Sequence, residues 1–498
     1  MVRYSRPCAA VIPTMASHFY GRERELEEFR QLMKKPTSSL VVCQGRRRIG
    51  KSTFFKHAAK DADHFLQFEG LAPRRGITQQ IQLDAFAQRL AAQTRAPKLE
   101  LSSWPQAFQL LASLLPTTGW TVLLLDEISW MATGEPDFAG QLKVAWDSYF
   151  STRPRLIVVL CGSVSSWIEA NILQSTGFVG RTSWTVQLPP LPLPACNRFW
   201  RGKPVSALEK LKVLSVTGGV PRYLEEMDPA QTAEQTIERL CFHPGGPLFN
   251  EFDQIFHDIF SGRAATYREI VKTLVTGAKA VTDISEALGQ EKGGGLSAAL
   301  ADLELAGFVC RDVSFDPETG KSLPRTLRYR ILDNYLRFYL KYVEPVREQI
   351  QKGLFQWTPL ESLTAWDTII GLQFEALILN NTPLLLEKIG LGNVEVLNAG
   401  PYFQAKTQKR AGCQIDLLVR TKGSVYVFEL KVRKNIDVSV IEAVRTKVDR
   451  LETGSSLSVR TGLIYQGALH PDIPKSDYFD RLVPFEDLLR QEATMQTR

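Results

Sequence analysis

Residues 39–53 read SLVVCQGRRRIGKST, an apolar run that ends in Gly45 and leads through Arg46-Arg47-Arg48-Ile49 to Gly50-Lys51-Ser52-Thr53. A β-branched and leucine-rich run suits a buried strand, and the glycines let the chain turn tightly into a helix. Backbone N–H groups exposed in such a turn curl around an anion, and the helix N-terminus adds a favourable dipole. Lys51 would reach the outer phosphates of a nucleoside triphosphate, and the Ser52 hydroxyl would take a place on Mg2+. The stretch satisfies GxxxxGK[ST] in full, so the whole loop, Gly45, Arg46, Arg47, Arg48, Ile49, Gly50, Lys51, Ser52 and Thr53, is the candidate cradle for ATP.

Outward from this loop the chain alternates between two periodicities. Leu26, Phe29, Leu32 and Met33 recur at helical spacing just before it. Strand-like runs follow at 64–70, 121–125 and 155–160, with a helical stretch at 78–93 between the first two. Such alternation predicts a parallel sheet covered on both faces. The proline-rich LPPLPLP at 188–194 suits neither helix nor central strand and marks an irregular connection. Three short helical stretches, 267–275, 281–288 and 296–305, then precede two strand-like segments at 308–314 and 326–331 separated by a DPETG turn. Three helices and a ribbon predict a winged helix-turn-helix, with the third helix as the groove reader; its poverty in Arg and Lys equally suits a protein–protein or lid module.

A phosphate loop needs an acid at the end of a second strand. Val122-Leu-Leu-Leu-Asp126-Glu127 supplies it, Asp126 for the shell of Mg2+ and Glu127 as general base for the attacking water. The next strand ends at Cys161-Gly162-Ser163, which makes Ser163 either a phosphate sensor or a strand-end cap. Arg181, in GRT, is a candidate for neutralising transition-state charge, in trans if the chain self-associates, or else a surface arginine. Arg222, in GGVPRYL, is a candidate phosphate contact from a lid.

The order GREREL, GRRRIGKST, LLLDE, GS, GRT, GGVPRYL resembles the AAA+-like and STAND-related P-loop ATPases that are common in archaea and also found in bacteria. The likeness runs over about residues 18–480. It implies an ATPase followed by a winged helix and a C-terminal domain resembling PD-(D/E)XK nucleases. The expected fold is thus α/β: a loose leader at 1–17 with Met15 as an alternative start, a P-loop ATPase domain at 18–190, a helical lid at 191–255, a winged helix at 256–345 and a nuclease-like domain at 346–498. Arg46–Arg48 are expected to add positive charge near the nucleotide or a neighbouring subunit.

The C-terminal part carries a second constellation. Ile415-Asp416-Leu-Leu-Val precedes a Lys422-Gly423 turn, and Val425-Tyr-Val-Phe-Glu429-Leu430-Lys431 follows. Strand alternation puts Glu429 and Lys431 on one face, and an adjacent strand bearing Asp416 would let two carboxylates converge on a divalent cation. Asp416-x12-Glu429-x-Lys431 is the residue order that metal-assisted phosphodiester hydrolysis uses, with Mg2+ or Mn2+ on the carboxylates and Lys431 orienting the water. Glu375, in LQFEALIL, is a candidate third metal ligand; Arg445, Lys447 and Arg450 on the next helix would follow a phosphate backbone. The bland alternative is a surface salt-bridge ladder.

Composition agrees with a folded chain: 498 residues, 44% hydrophobic and 23% charged. The net charge of +7 is concentrated, since residues 404–450 hold eleven Lys and Arg against five Asp and Glu. Seven scattered cysteines without a CxxC pair read as core thiols of a reducing compartment, and no apolar run approaches membrane-spanning length. A cytoplasmic ATPase coupled to DNA binding or cleavage is the expectation. The alternatives are a STAND-type switch whose last domain only binds nucleic acid or protein, and a protein-remodelling ATPase.

Overall fold

The computed structural model describes residues 19–491 apart from 73, 75, 98, 164–165, 261–262, 290–292, 409–410, 452 and 454–455. The leader, Met15 and the basic residues 409 and 410 lie outside the described residues.

Five strands, β1 (Ser39–Gly45), β2 (His64–Glu69), β3 (Thr121–Asp126), β4 (Leu156–Ser163) and β5 (Thr182–Gln187), form a parallel sheet in the order β2-β3-β4-β1-β5. β1, β3 and β4 are buried at every residue, as strands covered on both faces must be. One face packs on the helices Glu23–Met33 and Lys51–Ala58, the other on Gln79–Thr94, Trp104–Leu114 and Phe138–Ala145. Because β4 lies between β1 and β3, the C-terminal ends of these three strands place the phosphate loop, Ser163 and the Asp126-Glu127 pair along one sheet edge.

After β5 the expected elements are present. Helices Ala264–Thr273, Val281–Ala287 and Gly294–Leu305 precede an antiparallel ribbon, β6 (Val309–Asp312) and β7 (Arg328–Ile331). The helix Gly294–Leu305 buries Leu296, Ala299, Leu300 and Leu303 and leaves Ser297, Ala298 and Ala301 outward, so its exposed face carries no cation there.

The last sheet has the order β12-β11-β10-β9-β8, with β8 (Val396–Gln404), β9 (Cys413–Thr421) and β10 (Ser424–Ile436) antiparallel. β11 (Ser458–Leu469) and β12 (Arg481–Pro484) add in parallel. The loop of the ribbon is docked on this sheet: the Ser314 hydroxyl bonds the backbone of Phe403 on β8, and Arg420 on β9 donates to the Glu318 carbonyl.

The anticipated boundaries at 255 and 345 do not divide the hydrophobic interior. One buried cluster runs from Leu191 through the three-helix module to Leu417, Val419, Phe428 and Leu489. Helix Trp366–Asn380 is its hinge pin, with Gln373 donating to the carbonyls of Ser215 and Asn334. Among the described residues no single helix is long and apolar enough to cross a membrane.

Candidate functional site

Just past the end of β1 the chain takes up two special conformations, on either side of Ile49. Arg48 has φ 68° and Gly50 φ 85°, the left-handed region that glycine adopts without steric cost. Gly45 is needed for closeness, since a Cβ there would meet the Ile49 side chain at 3.0 Å and the Leu188 carbonyl at 3.1 Å. The turn delivers Lys51 to the first residue of the helix Lys51–Ala58. Its ammonium donates to the carbonyls of Gly45 at 2.9 Å and Arg46 at 3.3 Å. A cavity of about 320 Å3 opens over this turn, lined by Arg47 to Phe54, Glu127 and Arg222 and by the aromatic rings of Phe19, Tyr20 and Phe199. Phosphate-binding and base-sized apolar surfaces thus face one space.

The groups expected to hold Mg2+ are already together. The Ser52 hydroxyl bonds the Asp126 carboxylate, which also accepts from the Gln67 amide at 3.2 Å. Gln67, on β2, carried no signal in the sequence; it reaches Asp126 only because β2 lies beside β3. A hydroxyl and a carboxylate converging beside a phosphate cradle fit this ion, which keeps several waters and takes few protein ligands.

Glu127 also has a left-handed backbone, φ 48°, a conformation that costs energy in a non-glycine residue and clusters at functional sites. Its carboxylate accepts from the Ser163 N–H at 3.1 Å and from the Ser163 hydroxyl at 3.1 and 3.3 Å. Ser163 therefore grips the candidate base, and it is not among the residues that line the cavity. Arg47 lines the cavity beside the Trp130 ring, 5.4 Å from its centroid.

Arg46 and Arg181 depart from expectation, and Arg48, although it lines the cavity, is held by an acid behind it. Arg46 points away from the cavity and pairs at 2.7 Å with Asp333, both side chains buried. Arg48 makes a two-pronged bond to Glu251, at 2.9 and 3.2 Å, and Tyr223 donates to the same carboxylate. The positive charge of these two is answered by the module behind the loop and not held for a neighbouring subunit. Arg181 is fixed on Asp147 through two bonds of 2.7 and 3.0 Å, outside the cavity lining. Together with Lys143 it holds the Asp147 carboxyl down to about 2. Arg222 does stand at the cavity mouth, half-exposed, against Glu226 at 2.5 Å, and its backbone N–H reaches the Arg48 carbonyl at 3.4 Å. Glu251 and Asp333 were invisible as partners because 203 and 287 residues of chain separate them from the loop.

In the last sheet, Leu417 pairs with Phe428 across β9 and β10, so Asp416 and Glu429 come next on neighbouring strands. The Leu430 N–H donates to Asp416 at 2.9 Å. Lys431 stands 3.7 Å from Glu429. Between the two carboxylates lies an ammonium the sequence placed elsewhere: Lys447, on helix Ser439–Arg450, is 2.5 Å from Glu429 and 3.8 Å from Asp416. It does not follow an outer phosphate track. Burial and the Glu429 charge raise the Asp416 carboxyl to about 7. Arg445 bonds Glu442, and Arg450 the Gly412 carbonyl. Among the described residues no three His, Cys, Asp or Glu side chains gather as a metal site, so Glu375 is not drawn into a tight triad with Asp416 and Glu429.

Residues 19–227 match the model of an ATPase domain found predominantly in Archaea. This part of the chain is an ATPase domain of the archaeal type. An uncharacterized protein of Methanocaldococcus jannaschii is 23% identical over 389 residues, which cover 75% of this chain and 81% of the relative. Among solved structures, a Walker-type ATPase of Pyrococcus abyssi aligns with a TM-score of 0.48 at 18% identity over 65% of this chain and 96% of its own. The ORC2 protein of Aeropyrum pernix, as a complex with ADPNP and ADP, aligns with a TM-score of 0.41 at 14% identity over 68% of this chain and 97% of its own.

Proposed function

We propose that the chain is an ATP-hydrolysing switch whose nucleotide state is passed, through the arginines of its own phosphate loop, to a C-terminal domain acting on DNA. The observation that carries the coupling is the pair of ion pairs Arg46–Asp333 and Arg48–Glu251, which tie the loop that holds phosphate to the module that follows. Phosphate binding would draw Lys51 from the Gly45 and Arg46 carbonyls. Closure of the loop on an anion would then pull on Asp333 and Glu251.

In hydrolysis Glu127 takes the proton of the attacking water, aimed by Ser163. Arg47 and Arg222 face charge at the cavity mouth. Ser52 and Asp126 would hold Mg2+, which when bound neutralises charge on the phosphates. Asp416 and Glu429 would hold Mg2+ or Mn2+ in the second site once the Lys447 ammonium, which lies against both carboxylates, gives way to the ion. Lys431 is placed to orient water for phosphodiester cleavage.

The test is plasmid DNA with Mg2+ or Mn2+, with and without ATP, for the native chain, Asp416→Ala and Lys431→Ala. Cleavage by the native chain alone supports the nuclease; equal nicking by all three removes it. A regulatory reading, in which the last domain binds nucleic acid or protein without cutting, is favoured by Lys447 serving as a resident counter-ion. On that reading, calorimetry with Mn2+ shows no binding that Glu429→Ala abolishes.

A further inference from the structure

A second cavity, about 250 Å3, lies between the ribbon β6–β7 and the C-terminal domain, and nothing in the ATPase cycle uses it. Its charged lining is Arg328, Arg330 and Arg337 against Asp312 and Glu375. Asp312 answers Arg330 through Nε at 2.7 Å. Arg337 is buried and bonds only neutral acceptors, the carbonyls of Leu372 and Ile331 and the Gln373 amide oxygen. Arg328 lies 3.5 Å over the Phe403 ring and donates to the Ala278 carbonyl. Glu375 is thus left as the one acid on the wall for two guanidinium groups.

The hydrogen bonds are incomplete as well. Arg330 Nη1 and Arg337 Nε are buried without an acceptor. Buried guanidinium charge is costly, and an anion in the cavity beside these groups would offset that cost through space.

We infer that this cavity binds a phosphate monoester. The chemistry selects it: a monoester offers several acceptor oxygens to the arginines and, when singly protonated, one P–OH for Glu375. A phosphodiester has no such hydroxyl. The group can come from a free sugar phosphate or from the 5′-phosphorylated end of a nucleic acid strand, and Phe403 and Tyr402 provide ring surface for what is attached. The inference does not require the nuclease reading, although Glu375 also acts electrostatically on Asp416 and Lys447.

The test is calorimetry on the full chain with its ATP site saturated by a non-hydrolysable ATP analogue. The probes are ribose 5-phosphate, a 5′-phosphorylated oligothymidylate and the same oligomer with a 5′-hydroxyl. At least one phosphorylated probe binds, and the 5′-hydroxyl oligomer binds at least about tenfold more weakly, the usual loss for one charge-assisted contact. Tighter binding of the phosphorylated oligomer assigns the strand end; tighter binding of ribose 5-phosphate assigns the free metabolite. Arg328→Gln, at a half-exposed position, and the near-isosteric Glu375→Gln each weaken the phosphorylated probe with the fold retained by circular dichroism. No binding of either phosphorylated probe, equal binding of the 5′-hydroxyl oligomer, or affinity unchanged in both variants overturns the inference.

Discussion

Glu127 and Ser163 divide one task between them. On the proposed mechanism the carboxylate is the proton acceptor, while the serine N–H and hydroxyl hold it at a residue with a left-handed backbone. Glu127→Gln is therefore expected to bind ATP with native affinity and to lower kcat by about 10²- to 10⁴-fold, measured as phosphate release. Ser163→Ala removes only the aiming bond; kcat falls about tenfold with KM unchanged. A rise in KM instead would place Ser163 on the nucleotide. Arg181→Ala, by contrast, breaks a solvent-screened pair and leaves ATP turnover of the isolated chain within about twofold of native. Since Asp147 is held down to about 2, the stability this pair adds is present above pH about 4 and fades as pH falls through about 2.

At the scale of elements, the phosphate loop is a joint between two bodies. Asp333 lies just past β7 and caps the next helix through Tyr335 N–H while pairing with Arg46. Asp333→Ala strands a buried guanidinium and is expected to cost about 3–5 kcal/mol in urea unfolding, whereas an apolar pair replacing both Arg46 and Asp333 recovers most of it. The double variant should then hydrolyse ATP while losing any effect of ATP on the C-terminal domain. What the sequence disclosed here follows from local chemistry. The strand, loop and helix around Lys51 are contiguous, the acids after β3 sit at the end of an apolar run, and Glu429-x-Lys431 needs only strand alternation. What stayed hidden depends on contacts across the chain. The order β2-β3-β4-β1-β5 makes Gln67 a neighbour of Asp126, and the fold beyond β5 supplies the acids that hold Arg46 and Arg48. Lys447 was read on an outer helix face because nothing local says that this helix packs over β9 and β10.

Over the whole molecule, the interior shared from Leu191 to Leu489 joins the helices after β5, the three-helix module and one face of the last sheet, and these are expected to unfold as one body. A fragment of residues 346–491 would expose Leu417, Val419, Phe428 and Ile464, so it is expected to show molten near-ultraviolet dichroism and to aggregate, while residues 191–491 unfold in one transition. Two transitions in the longer piece would mean that the cluster is only a contact between independent domains. The ribbon loop seated on β8 has a consequence of its own. β8 is the last strand of its sheet, and Ser314 bonds the Phe403 backbone there. A strand edge laid bare is a template on which a second chain can pair. The loop thus covers part of an edge that would otherwise invite self-association.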